Sequence, residues 1–143
     1  MNALKKDELR LVRSWVKETG YEFVKLENNI YAIPAQLVDG INFLYPKLDV
    51  IYFGVFVGEI KAGRLIPSHA LAMSNLVSEN PERIELNKEQ AIDFLKKKEL
   101  KGIAANKGWK MVLYKNHPLG WINILSGRIN NYYPKQLRIL KDI

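Results

Sequence analysis

Apolar residues Leu4, Leu9, Val12, Trp15 and Val16 recur at near-helical spacing with charges between them, and Gly20 ends the run, so the pattern predicts an amphipathic helix over Leu4 to Lys17. Tyr21 to Glu27 and Ile30 to Ile33 read as two strands joined by Asn28-Asn29, a pair that tolerates the positive φ of a tight hairpin turn. From 34 to 46 the pattern is irregular, with room for a turn of helix over Ala35 to Leu44 before Pro46 interrupts it. Leu48 to Ile60 is rich in Val, Ile, Phe and Tyr with Gly54 and Gly58 inside the run, which predicts a strand with a bulge or a close backbone approach. Lys61 to Arg64 then turns around Gly63.

After Pro67, Ser68 is placed to cap a helix carrying Leu71, Met73, Leu76 and Val77 and ending near Asn80-Pro81. A second helix opens at Asn87, where Gln90 completes a capping-box-like pair, and Ala91, Ile92, Phe94, Leu95 and Leu100 form its apolar side. From Gly108 the period changes to that of strands: Trp109 to Tyr114, Leu119 to Leu125 and Arg128 to Tyr132, joined by turns at Lys115 to Pro118 and Ser126-Gly127. The class is therefore α+β. Two packed subdomains are predicted, 1–80 as a small α/β unit of helix, hairpin, strands and helix, and 81–143 as a β-rich unit.

Composition narrows the chemistry. With 143 residues the chain has the length of one ordinary domain, and the absence of cysteine removes disulfides, thiolate metal sites and cysteine nucleophiles. The two histidines, His69 and His117, are far apart and sit in no nucleophile motif, while neither GxGxxG nor GxxxxGK[ST] occurs. No enzyme activity, cofactor or metal is expected. No apolar signal segment follows the N-terminus, and the most apolar window, Val50 to Val57, is far short of the ~20 residues of a membrane span. A cytoplasmic protein with no membrane association is expected.

The net charge of +7 attracts polyanions. Lys96, Lys97 and Lys98 are adjacent on a helix and point in different directions, so they are assigned no more than steering. The stretch from Lys107 to Arg138 is different. Lys107, Lys110, Lys115, Arg128, Lys135 and Arg138 alternate there with Trp109, Tyr114, Trp121, Tyr132 and Tyr133, and no acid intervenes. Cations neutralise phosphates while aromatic faces stack on unpaired bases, a mixture suited to RNA. Trp109 and Trp121 stand in apolar strands and are assigned to the core.

Lys107-Gly108-Trp109, then Pro118-Leu119-Gly120-Trp121, then Gly127-Arg128-Ile129-Asn130-Asn131-Tyr132-Tyr133-Pro134-Lys135 and Arg138, resemble the C-terminal PUA-like RNA-binding region of the Sun/RsmF family of RNA cytosine-5 methyltransferases. Gly58 to Lys61, Arg64 and Pro67 to Leu71 resemble the segment preceding that region, so the resemblance spans Gly54 to Arg138. It implies a PUA-like small β-barrel with helical insertions in the C-terminal half, and a stand-alone protein without the family's catalytic domain, whose glycine-rich loop and two cysteines have no counterpart here.

It further implies RNA contacts from Lys61, Arg64, Lys107, Arg128, Asn130, Asn131, Tyr133, Lys135 and Arg138, with Asn123 standing where the family often has lysine. The expected partner is structured rRNA or tRNA in connection with RNA modification, with no DNA preference. The alternative is an accessory protein-binding subunit of a separately encoded RNA methyltransferase catalytic subunit or other modification enzyme. Exposed apolar residues on the first helix or around Ile51 to Phe56 would favour it.

Overall fold

A two-residue strand, β1 (Asn2–Ala3), precedes α1 (Lys6–Arg13) in the computed structural model, which describes residues 2–17, 20–50 and 52–142. At the start of α1 the Glu8 carboxylate accepts from the Lys5 backbone N–H at 3.0 Å and pairs with Lys25. The helix is shorter than its periodicity predicts. The Ser14 hydroxyl bonds back to the Leu11 carbonyl at 2.6 Å, and Val16 leaves to bridge Val77, with Lys17 N–H on Leu76 O at 2.7 Å.

The predicted hairpin forms as β2 (Tyr21–Leu26) and β3 (Asn29–Pro34), one residue out of the expected register. Glu27, at φ 56°, and Asn28 make the turn, so Asn29 pairs with Leu26. The irregular stretch holds a 3-10 turn (Ala35–Leu37) and α2 (Val38–Leu44). The strand predicted from Leu48 begins only at Val55, as β4 (Val55–Lys61). Gly54 at φ +60° lies so near Ala32 that a Cβ would stand 2.3 Å from its carbonyl oxygen, and Gly58 is equally close to Ile66 O. These are the close approaches that the two glycines predict.

A two-residue turn, Ala62-Gly63, leads to β5 (Arg64–Pro67). Then α3 (His69–Met73) starts with Ser68 Oγ accepting from Leu71 N–H at 3.0 Å. It ends at Met73 rather than near Asn80, because Ser74 turns extended at φ −88°, ψ 167° and its hydroxyl takes the Leu71 carbonyl at 2.7 Å. The five strands form an antiparallel meander, β1-β2-β3-β4-β5. Val12, Val16, Ile30, Ile33, Val57 and Leu71 are the largest fully buried side chains of this half of the chain.

The chain divides into two compact units, Met1–Ser78 and Glu79–Ile143. The second contains β6 (Glu82–Glu85), α4 (Lys88–Leu95), β7 (Gly108–Tyr114), β8 (His117–Leu125), β9 (Arg128–Asn131) and a 3-10 turn (Lys135–Leu137). The Asn87–Gln90 capping box closes reciprocally at 3.0 and 2.8 Å. Lys115 and Asn116, at φ 48° and 64°, make a two-residue turn, so β8 starts at His117 and contains Pro118.

The sheet runs β6-β7-β8-β9, with β6 parallel to β7 across the α4 connection. Leu86, Ala91, Phe94, Leu100, Val112, Ile122 and Ile124 form its core cluster. The closed barrel expected for this half is not formed. β6 and β9 remain the two edges of the sheet, and beside β9 the Asn131 amide bonds the Phe94 and Lys98 carbonyls at the end of α4. The fold is a mixed α+β arrangement with two open sheets. No helix among the described residues is long and apolar enough to cross a membrane.

Candidate nucleic-acid interface

The register of the second sheet sorts the basic and aromatic residues by face. Lys110, Val112, Ile122, Ile129 and Asn131 share the face of the core cluster. Lys110 is 6% exposed and its ammonium stands 2.9 Å from the Glu82 carboxylate, so it is removed from the basic surface expected of this stretch. Trp109, Asn123 and Asn130 are cross-strand partners on β7, β8 and β9, so they form one row on the opposite face, and Arg128 lies on that face two residues before Asn130.

The Tyr132 ring meets the Trp109 ring with centroids 4.5 Å apart and planes at 59°. Arg128 and Tyr132 are exposed, while Trp109, Asn123 and Asn130 are half-buried. Trp109 is therefore not a core residue as its apolar neighbours suggest; Trp121, 1% exposed, is.

Asn131 and Tyr133 turn toward α4. The Asn131 amide donates to Phe94 O at 3.0 Å and to Lys98 O at 2.9 Å, and its oxygen accepts from Tyr133 N–H at 2.9 Å. Both donors and an acceptor are thus committed to holding backbone. The Tyr133 ring packs on Phe94 at 5.3 Å, leaving Tyr132 as the aromatic at the surface. Lys97, in a left-handed conformation at φ 59°, donates from its ammonium to the carbonyls of Asn131 and Tyr133, each at 2.7 Å. Its pKa is lowered by desolvation.

Of the other expected contact residues, Lys107 is exposed immediately before β7, and Lys135 and Arg138 are exposed on the last 3-10 turn and just after it. Ile139 N–H on Leu95 O at 2.9 Å ties that turn to the end of α4. Lys61 and Arg64 belong to the first unit, as exposed partners flanking the β4–β5 turn. The resemblance assigns a contact to Tyr133 and none to Tyr132 or Lys97, and it marks Asn123 only as standing in place of a lysine. Strand alternation alone separates Tyr132 from Tyr133, and no local signal marks Lys97. Among the described residues no group of three His, Asp or Glu is placed to hold a metal ion.

An open hollow of about 450 Å³ lies beside this surface, lined among others by Lys98, Glu99, Arg128, Asn130 and Tyr132. Exposed cations, amides and an aromatic pair in this arrangement have the chemistry to hold phosphates and stack bases.

A family model described as the RsmF methyltransferase PUA domain matches residues 81–139, and one described as the first C-terminal domain of the RsmF rRNA methyltransferase matches residues 7–74. The second extends the likeness through the first 50 residues, where the motifs carry least. Neither match is to a catalytic methyltransferase domain. No curated protein matches the chain. Two RsmF domain models, matched in succession over almost all of the described residues, show that the chain belongs to the Sun/RsmF family and corresponds to that family's C-terminal domains.

Proposed function

We propose that the chain binds structured RNA, with rRNA the first candidate and tRNA the second, and performs no catalysis itself. The observation that carries this is the exposure of Arg128 on the same sheet face as the Trp109–Tyr132 pair, with Lys107 exposed just before β7 and Lys135 and Arg138 exposed after β9, in a unit matched by a PUA-domain family model. The cations hold phosphates, while Asn130 and Asn123 offer amide hydrogen bonds to base edges. Asn131 and Tyr133 shape the surface from behind it, and Lys61 and Arg64 add a separate basic turn on the first unit. The two units, taken as 1–80 and 81–143, divide the work, with the second as the RNA-binding one. The chain works in the cytoplasm, as a PUA-like module in RNA modification. Filter binding to rRNA fragments over a salt series tests this: Lys135→Ala with Arg138→Ala is expected to weaken binding and flatten the salt dependence, and an unchanged slope counts against this face.

A second reading, docking to an RNA methyltransferase catalytic subunit, is favoured by a different observation. Leu37, just before α2, Phe43 and Leu44 on it, and Leu48 and Tyr52 after it are 45–62% exposed. Val12 and Val16 are buried instead, and Ile51 lies outside the described residues. Co-purification of a stoichiometric methyltransferase, lost on Phe43→Glu, would support it; consistent absence of such a partner would set it aside.

A further inference from the structure

The hollow lies at the outer edge of β9, which among the described residues pairs only with β8, and its far wall is the turn that ends α4. Four hydrogen bonds tie one wall to the other. Lys97 reaches Asn131 O and Tyr133 O, and the Asn131 amide reaches Phe94 O and Lys98 O. The opening is thus held before any ligand arrives, which reduces the ordering cost of binding. Its volume of about 450 Å³ lies within the range of small-ligand sites, about 300–1,000 Å³.

Its walls are chemically mixed. Lys98 and Arg128 bring two exposed cations, Asn130 an amide able both to donate and accept, and Tyr132 an exposed ring backed by Trp109. One carboxylate, Glu99, stands with them and opposes a second anionic group.

We propose that this hollow takes one unpaired nucleotide of the bound RNA, its base against Tyr132 and Asn130 and its phosphate between Lys98 and Arg128. A paired base is stacked on its neighbours and cannot present a face to Tyr132, so the site selects loops, bulges or ends over continuous duplex. Lys97 is a positioning residue in this arrangement. The inference rests on the RNA-binding reading above and names the part of the RNA that the second unit takes.

Two probes test it with the full chain: an RNA hairpin with an unpaired loop, and a blunt duplex made from the same stem. The hairpin is expected to bind more tightly. Tyr132→Ala is expected to weaken hairpin binding about tenfold while leaving the duplex nearly unchanged, and Tyr132→Phe to keep wild-type behaviour. Should Tyr132→Ala fail to fold by circular dichroism, Asn130→Ala carries the same expected discrimination. If the variants lose affinity for both probes equally, or for neither, the nucleotide site is overturned while RNA binding stands. If the wild-type chain binds neither probe, both readings fall together.

Discussion

The side-chain amide nitrogen of Asn131 stands 3.0 Å from the backbone carbonyl oxygen of Phe94, and it reaches Lys98 O at 2.9 Å as well. A helix leaves its last carbonyls without intrahelical partners, and α4 ends where Lys97 turns left-handed. Asn131 supplies that end from a strand more than thirty residues further along the chain. This one side chain therefore joins the helix terminus to the segment that carries Asn130 and Tyr132.

Replacing it separates support from recognition. Asn131→Ala removes two donated hydrogen bonds and is expected to destabilise the chain by about 1–3 kcal/mol. Asn131→Asp is expected to cost more, because a carboxylate would face two carbonyl oxygens. Urea midpoints for the two variants check this, and a midpoint equal to wild type for Asn131→Asp would mean that the amide carries no structural load.

Salt dependence distinguishes cations that meet phosphate from those that hold backbone. Lys135→Ala and Arg138→Ala are each expected to reduce the slope of log K against log salt by about 0.7–0.9. Lys110→Met is expected to leave the slope alone, since its ammonium is buried against Glu82 at 2.9 Å. A reduced slope for Lys110→Met with unchanged slopes for the other two would reverse the assignment.

What could be read from the sequence was local. The Asn87–Gln90 box, the Ser68 cap and the Ser126-Gly127 turn depend on residues within a few positions of one another, and each forms. Strand β6 carries no sequence signal because Glu82-Arg83-Ile84-Glu85 has no apolar run; its reason to exist is parallel pairing with Lys110 to Leu113. Helix α3 is shorter than its sequence pattern predicts because Leu76 and Val77 continue an apolar run, whereas Val77 is held by Val16, sixty-one residues earlier. At the candidate site, long-range register divides the stretch that composition singles out. Asn130 and Asn131 are the same residue type side by side, and only cross-strand partners show that one faces Asn123 and the other α4.

The glycines of the first sheet give a graded test of backbone proximity. A Cβ at Gly58 would lie 2.3 Å from Ile66 O, and one at Gly54 would lie 2.3 Å from Ala32 O with φ at +60° as well, whereas Gly20 at φ +65° has nothing within 4 Å. Gly20→Ala should cost only the left-handed penalty of about 1–2 kcal/mol. Gly58→Ala must force two strands apart, at about 3 kcal/mol, and Gly54→Ala adds strain to clash. Denaturant unfolding is expected to rank them Gly54→Ala, Gly58→Ala, Gly20→Ala from most to least destabilising; equal losses would show that conformation rather than contact sets the cost.

Acid should destabilise the first unit in two steps. The hydrogen bond from Lys25 lowers the Glu8 pKa, helped by the Lys5 backbone N–H and outweighing burial, and burial lowers that of His69. Both groups are weaker bases in the folded chain than in the unfolded one. The unfolded state therefore takes up more protons as pH falls, and stability drops with it. His69 acts first, below its ordinary value of 6.5, and Glu8 below 4.5, each loss ending once the folded group has protonated too. The melting temperature should be insensitive to these groups above about pH 7, then fall through both windows. His69→Gln is expected to flatten the upper step and Lys25→Met the lower, each leaving the other in place. Variants that follow the wild-type curve through both windows would show that other groups govern the acid transition.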